Sequence, residues 1–226
     1  MAAVTIRGKK KFSWSYSKLK NFETCPKKYH AVDVSKTFKE GESETLTWGN
    51  EVHKHLANRI EKKIELPNGM KSFEKWVEPI VTTPGKILVE QKLSITEEFT
   101  ACGFFDADVW FRGIGDVIKV VGPVALVVDW KTGKILDDSQ QLALMAACVF
   151  AQYPEVQRVR SEFIWLKEDA TTREDFKRED MHKMWGSLWP RIKQLENAHE
   201  MMDFPPKPSG LCRRYCPVTS CPHNGT

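Results

Sequence analysis

The stretch VVDWKTGK, residues 127–134, sets Asp129 and Lys131 two positions apart at the end of an apolar, β-branched run. Side chains on a strand alternate faces with a period of two, so these two share a side and Trp130 points away. A carboxylate so placed can bind a hard divalent cation, and an ammonium beside it can orient a nucleophile or stabilise an anionic transition state. A charged strand end running into the Thr132-Gly133 turn is the plain structural explanation, so other residues have to decide. Glu90 in LVEQKL and Asp116 in RGIGDVI precede the pair, each close to a turn or an apolar run. His53 in WGNEVHKHL falls beside the apolar stripe of its helix, where it can face a sheet edge, while His55 lies farther round. Phosphodiester hydrolysis needs an activated water and a stabilised pentavalent phosphate, and metal ions held by carboxylates supply both.

A second group is built of thiols. Cys212, Cys216 and Cys221 stand in the pattern C-x3-C-x4-C within a Pro- and Cys-rich tail that has no periodicity of its own, and Cys25 precedes them by nearly two hundred residues. Three thiols so close in a coreless tail suggest metal ligation, and a thiolate from Cys25 would join the tail to the N-terminal helix. Four thiolates fit tetrahedral zinc and a [4Fe–4S] cluster equally well by spacing, and His223 could replace one of them at zinc. Cys102 and Cys148, in apolar or small-residue settings, read as core thiols.

The elements that must position these groups follow from pattern. A short helix spans 15–24, capped by Ser13 or Ser15 and ended by Cys25-Pro26. A second covers 47–63, with Val52, Leu56, Ile60 and Ile64 at helical spacing, and a third covers 71–81. Residues 86–95, 103–111, 116–121 and 124–130 read as successive strands. A helix from near Asp138 to Gln152, a strand over 156–167 and an amphipathic helix over 174–202 complete the core. Pro190 predicts a kink or break in that last helix. The order implies a mixed α/β fold with helices flanking one sheet, in one domain over 1–226. The core lies in 47–170, and 12–30 and 205–223 together form the cysteine region.

The 226 residues are 41% hydrophobic and 28% charged, the balance of an ordinary globular protein. Net charge is only +4, which excludes a polycationic protein, yet Lys9, Lys10, Lys11, Lys18, Lys20, Lys27 and Lys28 make the N-terminal region suitable for a phosphate backbone. No apolar stretch approaches the roughly 18 residues of a membrane span, and the basic N-terminus lacks a signal-peptide core, so the expectation is a cytoplasmic protein.

The ordered series His53, Glu90, Asp116 in a G-x-x-D setting, Asp129-Trp130-Lys131 and Gln141 resembles the PD-(D/E)XK nuclease superfamily. Within it, the resemblance is to the branch that includes the nuclease domains of RecB and AddB and the Cas4 exonucleases. SWSYSKLKNFETCPKKY is similar to that branch's N-terminal signature, and the likeness runs from about Ser13 to Cys221. It implies a restriction-endonuclease-like core. His53, Asp116, Asp129 and the Trp130 carbonyl would hold Mg²⁺ or Mn²⁺, Lys131 would act on the attacking water, and Glu90 would be a further acidic position. Gln141 matches the glutamine of a Q-x-x-x-Y helix motif, but Met145 stands where tyrosine is usual. The resemblance also implies a [4Fe–4S] cluster on Cys25, Cys212, Cys216 and Cys221. The usual late spacing is C-x2-C-x5-C, so the middle cysteine is displaced by one, and zinc stays the alternative. The implied function is metal-dependent DNA cleavage, acting on ends or single strands in recombination, repair or phage DNA processing, inside a bacterial, archaeal or phage-infected cell. No Walker A motif is present, so a helicase or recombination partner would come from another chain. Rivals are an inactive nuclease fold that only binds DNA or protein, and a zinc-stabilised interaction protein. The sequence leaves oligomeric state, strand preference and polarity undetermined. Phe12, Trp14, Tyr16 and Trp48 could stack bases.

Overall fold

In the computed structural model of the chain, residues 12–41, 43–136 and 139–226 are described; Lys9–Lys11 and Asp138 lie outside that set. Five strands form one sheet in the order β1 (Lys86–Ile95), β2 (Phe111–Val121), β3 (Val124–Lys131), β4 (Arg158–Trp165), β5 (Ala170–Lys177). β1, β2 and β3 make an antiparallel meander, closed by the tight Gly122 turn (φ +53) between β2 and β3. β4 then pairs parallel to β3, a connection that requires a crossover, and α5 (Ser139–Gln152) supplies it. α5 is apolar nearly all round, with nine successive residues from Leu142 to Phe150 buried, as befits a helix inside the molecule.

The two sheet faces are covered by different helices. α1 (Tyr16–Thr24), α5 and α6 (Met181–Met201) pack through Leu19, Leu144, Val149, Trp185, Leu188 and Ile192 against Leu93, Ile118 and Val127. α3 (Glu44–Lys62) and α4 (Glu74–Thr82) pack through Val52, Leu56, Ile60, Val77 and Ile80 against Val117, Val128, Trp130 and Ile164. The 4-4 spacing of Val52, Leu56 and Ile60 is what turns that face of α3 inward, and their full burial gains roughly 1.5–3 kcal/mol each. Lys119, buried in the sheet, donates to the carbonyls of Ile80 at 2.6 Å and Thr83 at 2.7 Å, satisfying the carbonyl end of α4 with a cation.

α1 starts at the Ser15 cap, whose hydroxyl accepts from the Lys18 amide, and stops at Cys25. Pro26 opens a four-residue helix, α2 (Pro26–Tyr29), so Cys25 sits at a corner between two helices. Several expected bounds shift. Residues 103–110 are a loop rather than a strand, because Asp106 accepts the Gly103 amide at 2.7 Å in a side-chain turn, and β2 begins only at Phe111. The span 174–180 belongs to β5 and a short 3-10 turn, not to the long helix. β5 alternates exposed and half-buried positions at the sheet edge, a period of two that its charged residues hide. α6 carries Pro190 inside one continuous helix, so of the expected kink or break the break does not occur. The buried stripe of Trp185, Leu188, Ile192 and Leu195 holds both halves to the core and outweighs the missing amide donor. No helix among the described residues is long and apolar enough to cross a membrane.

Candidate active site

The sheet opens where the β2–β3 ladder ends at the pair Val117–Val128. The next residue of β2 is Asp116, and its carboxylate replaces the missing ladder partner: Oδ2 accepts the Trp130 amide at 2.7 Å. Asp116 Oδ1 accepts from His53 Nδ1 at 3.1 Å, so α3 reaches the same point from the far face. Gly49, one turn before His53, brings α3 close to the end of β3, since a Cβ there would come within 3.2 Å of Thr132 Oγ1. β1 pairs with β2 on both sides of the gap, Val89 with Val117 and Gln91 with Gly115, and between them Glu90 adopts a left-handed backbone at φ +48. Such a conformation costs a non-glycine residue on the order of 1–2 kcal/mol, and here it sits at the residue whose carboxylate joins the site. Ligand atoms of His53, Glu90 and Asp116 all lie within 4.8 Å of one another.

Beside this trio stands a second one. Asp129 Oδ2 is 2.7 Å from Lys131 Nζ, and Asp129 Oδ1 accepts from Gln141 Nε2 at 2.8 Å. Lys131 Nζ donates to Gln141 Oε1 at 3.1 Å and lies 4.5 Å from the centre of the Phe163 ring. Gln141, at the start of α5, thus locks acid and base together with both ends of one amide. Gln140 points elsewhere, accepting from Arg191 of α6, which also grips Glu23 of α1 at 2.8 Å.

The electrostatics show how far the site works against its own charge. Burial pushes the Asp129 carboxyl up to about 6, and nearby Asp116 adds to the rise while Lys131 opposes it. Glu90 is raised by burial and then by Asp116. Burial acts to lower the His53 imidazole, yet its hydrogen bond to Asp116 and the carboxylates of Asp116, Asp129 and Glu90 carry it above its ordinary value. Three carboxylates crowded at the sheet opening favour a cation, and one histidine with two carboxylates converging within a few ångströms is a donor set that suits Mg²⁺ or Mn²⁺.

The structure brings His53, Glu90 and Asp116 into one triplet and Asp129, Lys131 and Gln141 into the other, with Trp130 linking the two through its amide. Glu90 therefore stands among the converging atoms, and Asp129 among those that hold Lys131. Asn50, Lys54 and Thr132 also line the cleft and escaped the sequence reading. Asn50 and His53 stand one helical turn apart in WGNEVHKH, which is the signal that could have found the former. His55 faces Glu51 instead, at 3.8 Å. Trp14 and Tyr16 are core residues, whereas Trp48 is exposed.

The four predicted thiols also meet. Cys25, Cys212, Cys216 and Cys221 line one small pocket with Val218 and His223. The tail is stitched to the α1–α2 corner by Lys27 N–H to Pro205 O at 3.3 Å and Lys207 Nζ to Glu23 O at 2.6 Å. Backbone amides of Lys207 and Ser209 donate to the sulfurs of Cys25 and Cys212, each at 3.4 Å. Among the described residues the thiols form no group of three whose sulfurs all lie within 4.8 Å.

No known family profile matches the sequence, and no curated protein matches it. Among solved structures, the chain is similar to a provisionally named exonuclease of Eubacterium rectale, with a TM-score of 0.53 over 94% of this chain and 91% of that one, at 15% identity. It also aligns with the structure of SSO0001 over 96% of this chain and 89% of that one, at a TM-score of 0.46 and 13% identity. The first likeness shows a shared α/β architecture, a mixed five-stranded sheet flanked by helices.

Proposed function

We propose that the chain is a metal-dependent deoxyribonuclease that hydrolyses phosphodiesters at the sheet opening. The observation that carries this reading is the convergence of His53, Glu90 and Asp116 within 4.8 Å beside the locked Asp129–Lys131–Gln141 triplet. His53, Glu90 and Asp116 would hold Mg²⁺ or Mn²⁺, with Asp129 and the Trp130 carbonyl lining the same cleft. When bound, the cation supplies positive charge to the phosphate and acidifies a water. Lys131, held beside Asp129, donates to the attacking water or to a non-bridging phosphate oxygen and offsets the negative charge that grows there. Gln141 holds the ammonium in place so that little reorganisation is needed at the moment of reaction. Trp130 N–H fixes the rotamer of Asp116. The shared architecture with the Eubacterium rectale protein agrees with this assignment.

The thiol pocket belongs to the same reading as a metal site of a different kind. Tetrahedral zinc, with Zn–S bonds of about 2.3 Å, would draw its sulfurs to roughly 3.8 Å from one another. A [4Fe–4S] cluster is the reading taken for these four thiols, with zinc the alternative, and the backbone amides donating to the sulfurs of Cys25 and Cys212 suit ligating thiolates. Its task is to tie the tail to α1.

Cleavage of end-labelled single- and double-stranded DNA by anaerobically purified protein tests the proposal, with Mn²⁺, Mg²⁺ or EDTA and beside Lys131→Ala. Metal-dependent products are expected from the wild type, reduced about 10²–10³-fold in the variant. Equal inertness of both chains while DNA is still bound would instead make this a nuclease fold that only binds.

A further inference from the structure

Helices α3 and α4 cover only part of the sheet face on which they lie. Lys119 marks the end of α4, since it donates to the carbonyls of Ile80 and Thr83. Past that point the same face continues through Val121 on β2, Val124 and Leu126 on β3, and alternate residues of β4 and β5. Val121 and Val124 are paired across the Gly122 turn and are 44% and 42% exposed, and Leu126 beside them is half-buried. Aliphatic side chains grouped in this way keep water ordered over them until something is laid on them.

The neighbouring strands add positive charge. Arg158 lies opposite Lys177, Arg160 opposite Asp175 and Glu162 opposite Arg173, and all of them point to this face. Two of these are ion pairs, Arg160 Nε to Asp175 Oδ1 at 2.7 Å and Arg173 Nε to Glu162 Oε1 at 2.6 Å. The third sets two exposed cations against each other. Arg158 makes no ion pair among the described residues, and Lys177 reaches only Glu179, at 3.8 Å. Like charges directly opposite on a sheet destabilise it, so this pair favours an anion from outside the chain. Asp175 is already taken: its hydrogen bond to Arg160 holds its carboxyl below the ordinary range, helped by the charges of Arg160, Arg173 and Arg158. In the parallel register Val124 stands beside Arg158 and Leu126 beside Arg160, so an aliphatic row and a cationic row run side by side.

We infer that this bare face docks an acidic segment of a partner protein, with the partner's apolar side chains on Val121, Val124 and Leu126 and its carboxylates on Arg158 and Lys177. The pairing of rows selects the class of partner. A phosphate backbone would neutralise the cations and leave the valines wet, whereas an amphipathic protein segment with acidic residues flanking an apolar stripe covers both. Its carboxylates also relieve the repulsion between Arg158 and Lys177. The surface lies at the far end of β3 from Asp129, five residues along the strand or roughly 17 Å away. A docked partner therefore leaves the carboxylate cleft open, and neither surface depends on what the other does.

A phage-displayed library of random peptides about 16 residues long, enough for four helical turns, would be panned on the full-length chain. Enriched sequences are expected to combine several Asp or Glu with leucine, isoleucine or phenylalanine. One of them, made with a fluorescein label, would then be titrated by anisotropy, and its affinity should fall as salt is raised. Arg158→Glu combined with Lys177→Glu should weaken binding about tenfold or more, and Arg158→Gln with Lys177→Gln about threefold. Val124→Ser should also weaken it about threefold, through lost apolar contact alone. Melting temperature and DNA cleavage are expected to match the wild type in all of these variants. Should the charge reversal lower the melting temperature, the neutralised pair carries the same comparison. A library that enriches no acidic sequence, or a selected peptide bound equally by the wild type and both charge variants, would overturn the inference. So would a reversal that weakens binding of labelled duplex DNA as much as that of the peptide, which would make the face a phosphate track.

Discussion

The two groups of metal-seeking side chains in this protein are built by opposite means. The carboxylate site lies between strands, and each of its members is oriented by a neighbour: Asp116 by the Trp130 amide, Asp129 and Lys131 by Gln141, and His53 by a helix seated through Val52, Leu56 and Ile60. The thiol pocket gathers a helix corner and a tail with one buried apolar side chain of its own, Val218. The first is held open by the sheet whatever it binds. The second has little besides a few backbone hydrogen bonds to keep it closed. On the proposed function, preorganisation there would serve chemistry, and ligation here would serve folding.

That contrast is sharpest under paired substitutions. Asp116→Asn keeps an oxygen for the Trp130 amide and should leave the melting temperature and iron content unchanged while lowering cleavage at least about hundredfold. Cys216→Ser should do the reverse in order of severity: iron is lost, the melting temperature drops and protease cuts within 205–226, with activity declining only as the fold loosens. If Cys216→Ser removed activity at unchanged stability, the thiol site would be a working part of the catalyst and the division would collapse.

Titration separates the regions next. Asp129 sits at about 6 in the folded chain, above its unfolded value of about 3.9, and Glu90 and His53 are also raised. A raised group stabilises the fold fully below its unfolded pKa, and that contribution disappears as pH climbs through the folded one. The metal-free chain should therefore melt at a lower temperature at pH 7.5 than at pH 5, and Mn²⁺ at pH 7.5 should restore the difference. A melting temperature that is flat in pH and indifferent to Mn²⁺ would mean that the carboxylate cluster holds no cation.

The smallest effect falls on two adjacent glutamines. Gln141→Ala removes the amide that bridges Lys131 and Asp129, leaving only their direct contact, and should reduce cleavage roughly tenfold. Gln140→Ala loses only its contact with Arg191 and should cost about 0.5–1 kcal/mol in denaturant unfolding, with cleavage unaffected. Identical behaviour of the two would remove the distinction between a positioning residue and a helix tie.

Local pattern made a good part of this legible. The meander up to β3, the helix carrying His53 and the face shared by Asp129 and Lys131 follow from periods of 2 and 3.6 and from caps such as Ser15, all short-range properties. β5 was hidden because its alternation is written in charged and polar residues at an exposed edge, and the loop at 103–110 because its turn is made by a side chain, Asp106. At Pro190 tertiary packing decided which of the two expected outcomes was closed off, since the helix runs on without a break. The sequence alone determined which residue types could do chemistry, and in what order along the chain. Only the tertiary structure decided their grouping: Glu90 with His53 and Asp116, Gln141 across Asp129 and Lys131, and Met145 against Gly113 and Gly115. Those meetings join residues far apart in the chain, where a one-residue change of register or a left-handed φ at Glu90 redirects a carboxylate, and neither leaves a mark in a local pattern.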